Sequence, residues 1–209
     1  MRQSGEISVG AIILAAGRSS RMGRPKLLLP WRETTVLGHL IATWTQLPAK
    51  EIAVVHARGD QGITGELDRL NFPAAARIAN PDPDRGMFSS IVCAAQWPGW
   101  KSGVVHWAIV LGDQPHLRAA TLRSLAEFAA TQPGSICQPA RHGRPRHPVL
   151  LPATVFRQLA ASQAATLKDF LQPFASAVKW IELDDPGLDL DMDCPEDYER
   201  ALRMAGGGS

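Results

Sequence analysis

Short apolar runs alternate with stretches of helical spacing along the whole chain. Val9–Leu14, Glu51–His56, Ala76–Ala79, His106–Leu111, Ser135–Gln138, Pro148–Leu151 and Val178–Leu183 are brief and rich in Val, Ile and Ala, the pattern of strands covered on both faces. Helical spacing fills Val36–Leu47, Gly62–Leu70, Met87–Trp97, Ala119–Thr131, Ala153–Ala160, Thr166–Phe174 and Pro195–Met204. Pro195 suits the first helical position, with Asp193 or Cys194 before it as cap and Glu196 and Asp197 in the first turn, where the helix dipole favours carboxylates. Strands alternating with helices predict a single three-layer α/β domain around a mainly parallel central sheet with right-handed crossovers. Ligands of such sheets collect beyond the carboxyl ends of the strands. The loops after Leu14, Leu111, Leu151 and Leu183 are therefore expected at one edge.

Composition narrows the picture. A chain of 209 residues suits one domain, here expected over 1–205 with 206–209 as a flexible Gly/Ser tail. With 45% hydrophobic and 20% charged residues, wholesale disorder is excluded, and no apolar run approaches the roughly 20 residues of a membrane helix. The polar start Met1–Glu6 and the short run after it do not read as a signal sequence. Cys93, Cys137 and Cys194 are odd in number, far apart and without CxxC spacing, which suits reduced thiols of a cytoplasmic protein. A net charge of +2 and six tryptophans without basic–aromatic alternation give no footing for nucleic acid.

The charge is nevertheless unevenly placed. Arg18, Arg21, Arg24, Lys26 and Arg32 stand in a stretch free of acids, while nine carboxylates from Glu182 to Glu199 stand in one free of bases. Two solvated faces would explain this, and so would an anion site beside a cation site, as a nucleotide with its Mg²⁺ requires.

Three segments at the expected edge carry chemistry. The first strand runs into Ala15-Ala16-Gly17-Arg18-Ser19-Ser20-Arg21-Met22-Gly23-Arg24-Pro25-Lys26, where small residues let backbone N–H groups approach a phosphate and Arg21 and Lys26 neutralise it. The loop is neither a Walker motif nor GxGxxG. Gly112-Asp113-Gln114-Pro115 ends an apolar strand in one carboxylate, a turn former or a Mg²⁺ ligand. In Leu188–Asp193, an extended backbone would put Asp189, Asp191 and Asp193 on one face, and Asp193 is also a natural N-cap. His56 reads as structural, and His147, before Pro148, as structural or as a contact to an acceptor alongside Arg141, Arg144 and Arg146.

In this order and spacing the segments resemble the small nucleotidyltransferase family that includes the molybdopterin cytidylyl- and guanylyltransferases, from about Val9 to Leu202. The opening signature is similar to Leu14–Gly23 with Lys26, the metal motif to Gly112–Pro115 and the closing motif to Asp191–Asp197; Asn80–Met87 with Ser89 and Ser90, and Gly143–Pro148, resemble the cytidylyl branch. The resemblance implies a Rossmann-like fold of the nucleotide-diphospho-sugar transferase type. It implies nucleotide binding by Leu14, Ala15, Ala16, Gly17, Arg21, Lys26, Gly86 and Ser90, with Arg21, Lys26 and Asp113 catalytic. Asp113 and Asp193 would hold Mg²⁺, and Arg144 and His147 would meet the acceptor. Arg146 stands where the family commonly has glycine, and Cys194 where it commonly has threonine.

The activity so implied is transfer of CMP from CTP to the phosphate of molybdenum-loaded molybdopterin with release of pyrophosphate, and a molybdenum hydroxylase or its chaperone as a partner. A phosphate acceptor needs no general base, in keeping with the lack of a Ser-His-Asp or Cys-His arrangement. Transfer to a sugar or polyol phosphate is the alternative reaction, and a non-catalytic pterin carrier the alternative of another class. A carrier has no need of Lys26, Asp113 and Asp193 together.

Overall fold

The computed structural model describes residues 8–47, 49–101 and 103–206. The chain opens with β1 (Val9–Ala15), then a small hairpin of β2 (Pro30–Trp31) and β3 (Thr34–Thr35), then α1 (Val36–Gln46), β4 (Ala49–Ala57), α2 (Gln61–Arg69), β5 (Arg77–Asn80), α3 (Met87–Gln96), β6 (His106–Leu111) and α4 (Ala119–Ala130). It continues through β7 (Ile136–Arg141), β8 (Arg144–Pro145), β9 (Val149–Pro152), α5 (Ala153–Gln158), α6 (Leu167–Leu171), β10 (Val178–Glu182) and α7 (Pro195–Gly206). The main sheet has the order β10-β7-β9-β6-β1-β4-β5, with β8 paired to β7. Among the described residues no helix is long and apolar enough to cross a membrane.

The all-buried β1 shows why the apolar runs are continuous. Ala11, Ile13 and Ala15 join one core with α1, α2, α4 and α7, while Ile12 and Leu14 join the other with α3, α5 and α6. Ala108 and Val110 of β6 face the first core, and Trp107 and Ile109 the second. A period of two, buried on both faces, yields the expected three layers. Helix starts are fixed locally: the Thr35 hydroxyl accepts from Gly38 N–H at 3.0 Å, and the Asp60 carboxylate from Ile63 N–H at 3.0 Å.

One expectation about the ligand edge needs correction. β9 runs antiparallel to both β6 and β7, so the loop after Leu151 lies at the opposite edge. What reaches the ligand edge is the start of β9, with His147 and Pro148. Composition could not show this, because a strand buried on both faces reads the same in either direction. The hairpin β2–β3 and the two-residue β8 are too short to carry a periodic signal.

The acidic segment is also not extended throughout. Pro186–Asp189 forms a 3₁₀ turn, and Asp189, Asp191 and Asp193 diverge to different partners instead of sharing a face. Buried Asp185 holds that turn: Gly187 N–H donates to Oδ1 at 2.9 Å, while Arg118 N–H at 3.0 Å and the Thr121 hydroxyl at 2.7 Å donate to Oδ2. The carboxylate thereby ties the start of α4 to the segment leading to Asp193. Asp185→Ala strands all three donors, and we expect a stability loss of about 3 kcal/mol, seen as a lower urea midpoint at unchanged m-value. A loss under about 1 kcal/mol would mean that water replaces the carboxylate.

Candidate active site

At the carboxyl ends of β1 and β6 lies a cavity of about 390 Å³. Leu14, Ala16, Gly17, Lys26, Gly86, Ser90 and Asp113 all line it, so the structure brings together most of the residues singled out in the sequence. Ala15 is buried at the strand end behind them, and Arg21 reaches across from the exposed surface to Asp193. Arg144 stands exposed on β8 and lines neither this cavity nor the next.

The loop after β1 is shaped by two 3₁₀ turns, Ser20–Met22 and Lys26–Leu28, whose Met22 and Leu27 plug into the core. Burying Leu27 turns its neighbour Lys26 towards the sheet edge, and Lys26 N–H donates to the Ser19 hydroxyl at 3.1 Å. Lys26 Nζ donates to Asp113 Oδ2 at 2.9 Å and lies 3.7 Å from Asp193 Oδ1. Arg21 Nη2 lies 2.8 Å from Asp193 Oδ2. The basic and acidic stretches of the sequence thus meet at one point.

Gly112 has a steric reason to precede Asp113. A Cβ there would lie 2.8 Å from the Leu14 carbonyl oxygen and 2.8 Å from a methyl of Leu27, and the first neighbour is backbone that cannot yield. Only glycine lets the ends of β1 and β6 close up and set Asp113 against the loop after β1. Gly86 carries φ +87°, a conformation side chains rarely adopt, and starts α3 beneath the cavity. Asn80 Nδ2 donates to the hydroxyls of Ser89 at 2.8 Å and Ser90 at 2.9 Å, fixing both at that helix start.

Asp193 is not the cap of α7. Cys194 holds the cap position, its carbonyl accepting from Asp197 N–H at 3.1 Å and Tyr198 N–H at 3.2 Å, while the Asp197 carboxylate accepts in return from Cys194 N–H at 3.2 Å and from the Cys194 thiol at 3.0 Å. The thiol therefore fills a hydrogen-bonding place next to the helix, and Asp193 is left for Lys26 and Arg21. Asp191 accepts from Gln114 Nε2 at 2.9 Å, and Met192 N–H donates to the Asp113 carbonyl at 3.1 Å, stapling the acidic segment to the Asp113 loop. Arg146 donates to Asp189 at 2.6 Å and 2.9 Å, with Arg141 on the other oxygen, so the Arg146 departure pins β7 and β8 to the same segment.

Asp113 Oδ1 is buried and has no hydrogen-bond partner. A buried carboxylate oxygen without a donor is costly unless something else satisfies it. Two hard oxygen donors, one of them unmet, fit a cation such as Mg²⁺, which takes one or two carboxylates and completes its shell with phosphate and water. Among the described residues no cluster of three or more His, Cys, Asp or Glu is placed to hold a metal. Asp113 and Asp193 are the pair that could.

A second cavity of about 640 Å³ adjoins the first at Met87, which lines both. Its walls are mainly apolar, from Val149, Leu167, Leu171 and half-exposed Trp180, with His147 among them. Burial pushes the His147 imidazole below its usual pKa, against the pull of Asp191 and Asp113. His56 is buried with Nδ1 2.9 Å from its neighbour's carbonyl, a structural placement. Burial raises the Cys137 thiol to about 11 and pushes that of Cys93 up as well, against the pull of Arg58 and Arg85.

Sequence reasoning missed the pair of Arg18 and Asp84, which joins the loop after β1 to the turn before α3 across the mouth of the first cavity. It also left Gln114 without a role. Opposite charges in two segments already assigned to one site were the available signal for the first. The glycines give a sharp test. Gly112→Ala should displace Asp113 and lower turnover about 100-fold, whereas a Cβ at Gly17 meets no protein atom within 4 Å. Gly17→Ala should therefore melt like the parent yet raise the nucleotide KM; equal effects of the two substitutions on stability and kcat would contradict this geometry.

The family model described as the MobA-like NTP transferase domain matches residues 11–179. The chain is 29% identical over 192 residues to the molybdenum cofactor cytidylyltransferase of Escherichia coli (strain K12), covering 91% of this chain and 94% of the relative. It is 32% identical over 114 residues to the molybdenum cofactor guanylyltransferase of Xanthomonas euvesicatoria pv. vesicatoria (strain 85-10), covering 54% of this chain and 51% of that one. Of solved structures, Rv0371c from Mycobacterium tuberculosis H37Rv aligns with a TM-score of 0.74 at 27% identity, over 94% of this chain and 97% of that chain. The match begins in β1, takes in the loop after it and the Asp113 loop, and ends in β10: the chain belongs to the MobA-like NTP transferase family.

Proposed function

We propose that this protein transfers CMP from CTP to the phosphate of molybdenum-loaded molybdopterin. The observation that carries the reading is that Lys26 and Asp113 line a cavity with Gly17, Gly86 and Ser90, and that Lys26 also reaches Asp193 at its edge. The cytidine preference and the acceptor are supported by the near end-to-end similarity to the Escherichia coli cytidylyltransferase.

In this reading the triphosphate lies along the loop from Ala15 to Lys26, its oxygens facing the backbone at Ala16 and Gly17, the Lys26 ammonium and the Arg21 guanidinium. The nucleoside extends towards Gly86 and Ser90. Asp113 and Asp193 would hold Mg²⁺, which would supply neutralisation of the phosphate charge. The acceptor's heterocycle occupies the second cavity, lined by His147 but not by Arg144, and its phosphate passes Met87 towards the first. An oxygen of that phosphate bonds to the α-phosphorus as the α–β bridging P–O bond breaks, and pyrophosphate leaves with the electron pair. The attacking oxygen is already anionic, so no side chain need remove a proton. Catalysis is positioning and charge neutralisation.

Two measurements test this. Pyrophosphate release with each NTP, with and without molybdenum-loaded molybdopterin, should show release with CTP only when the pterin is present. Equal release without it would overturn the acceptor, and preference for GTP would overturn the base. Lys26→Ala should lose about 100-fold in kcat, roughly 3 kcal/mol of transition-state stabilisation. Arg24→Ala, on the exposed side of the same loop, should change little. Equal small losses at both would reduce the loop to basic surface.

A further inference from the structure

Lys26 and Asp113 at the first cavity, and Asp193 and Arg21 beside them, already have protein partners. Lys26 Nζ lies between the two carboxylates, 2.9 Å from Asp113 and 3.7 Å from Asp193, and Arg21 takes the other oxygen of Asp193 at 2.8 Å. The side chains of Lys26 and Asp113 are only 16% and 20% exposed, so solvent screens that pair weakly. Two carboxylates and two cations sum to zero. A divalent ion added to this neutral set meets the ammonium at the very oxygens it needs.

From this geometry we infer that Lys26, assisted by Arg21, is an internal counter-ion that closes the Asp113–Asp193 pair to divalent cations until a triphosphate draws it away. The inference rests on the nucleotide reading above and adds a condition to it: metal and nucleotide enter together. The triphosphate brings several negative charges into the cavity that Lys26 already lines. Once Lys26 turns to those phosphates, the carboxylates regain net negative charge, and Asp113 Oδ1, now without a partner, gains one. The loop can make the exchange because Lys26 is held through its backbone, by Ser19 and by buried Leu27, so only its side chain must swing. Arg21 contributes less, since its side chain is 73% exposed and its ion pair is screened.

The test reads Mn²⁺ binding, not turnover. Free Mn²⁺ is followed by electron paramagnetic resonance with the full-length protein, alone and with α,β-methylene CTP, and binding is counted beyond what the analogue holds without protein, since a triphosphate chelates Mn²⁺ by itself. The protein alone should bind Mn²⁺ weakly, and the analogue should tighten binding at least about tenfold. Lys26→Met should tighten Mn²⁺ binding to the nucleotide-free protein by about tenfold. Lys26→Arg, which keeps the charge, should restore exclusion, and Arg21→Gln should show the same trend more weakly, serving also if Lys26→Met does not fold. If Mn²⁺ is tight with the analogue but nucleotide-free Lys26→Met binds it no better than the parent, the inference fails while the nucleotide reading stands. If Mn²⁺ binding with the analogue survives Asp113→Asn, the carboxylate pair is not the metal site and both fail.

Discussion

Asp113 and Asp193 come from segments far apart in the chain, and like charges do not stay together unaided. Lys26 is what allows it. Its ammonium joins the end of β6 to the approach of α7, and the neighbouring contacts serve that junction. Gln114 holds Asp191, the Asp113 carbonyl holds Met192, and Asp185 fixes the turn before them. Cys194 and Asp197 bond reciprocally at the start of α7, so Asp193 is not spent on the helix. Buried polar contacts of this kind are costly when partly made, which favours one arrangement of the acidic segment over many.

Much of the fold was legible because the strands of a doubly covered sheet leave a plain mark. Val9–Leu14 and His106–Leu111 have no polar face to confuse the pattern, and their neighbours on each side follow 3.6-residue spacing. Direction was not legible. Val149–Pro152 is apolar whichever way it runs, and only its pairing with β6 reveals that His147, not the chain after Leu151, stands at the ligand edge. The acidic run misled for a different reason. An extended Leu188–Asp193 would have aligned its three carboxylates, but Pro186 and Gly187 start a 3₁₀ turn that Asp185 stabilises. Arg141 and Arg146 then claim Asp189, and a long-range ion pair leaves no periodic trace.

The two departures from the family pattern have structural homes. Cys194 donates to Asp197 where a hydroxyl would do the same, and the long side chain of Arg146 reaches Asp189 instead of entering the cavity beside His147. Neither removes anything from the floor of the first cavity. Met87, half exposed, lines both cavities, and its flexible thioether suits a boundary between the proposed nucleotide and acceptor positions.

The central claim is that the first cavity holds the triphosphate with its cation on Asp113 and Asp193. Anomalous diffraction from crystals grown with Mn²⁺ and α,β-methylene CTP measures this directly. The account predicts one strong manganese peak within bonding distance of both carboxylates, the triphosphate along Ala16–Lys26, and Lys26 Nζ on phosphate instead of Asp113. A nucleotide seated in the cavity beside Trp180, or manganese away from both carboxylates with Lys26 still on Asp113, would contradict it.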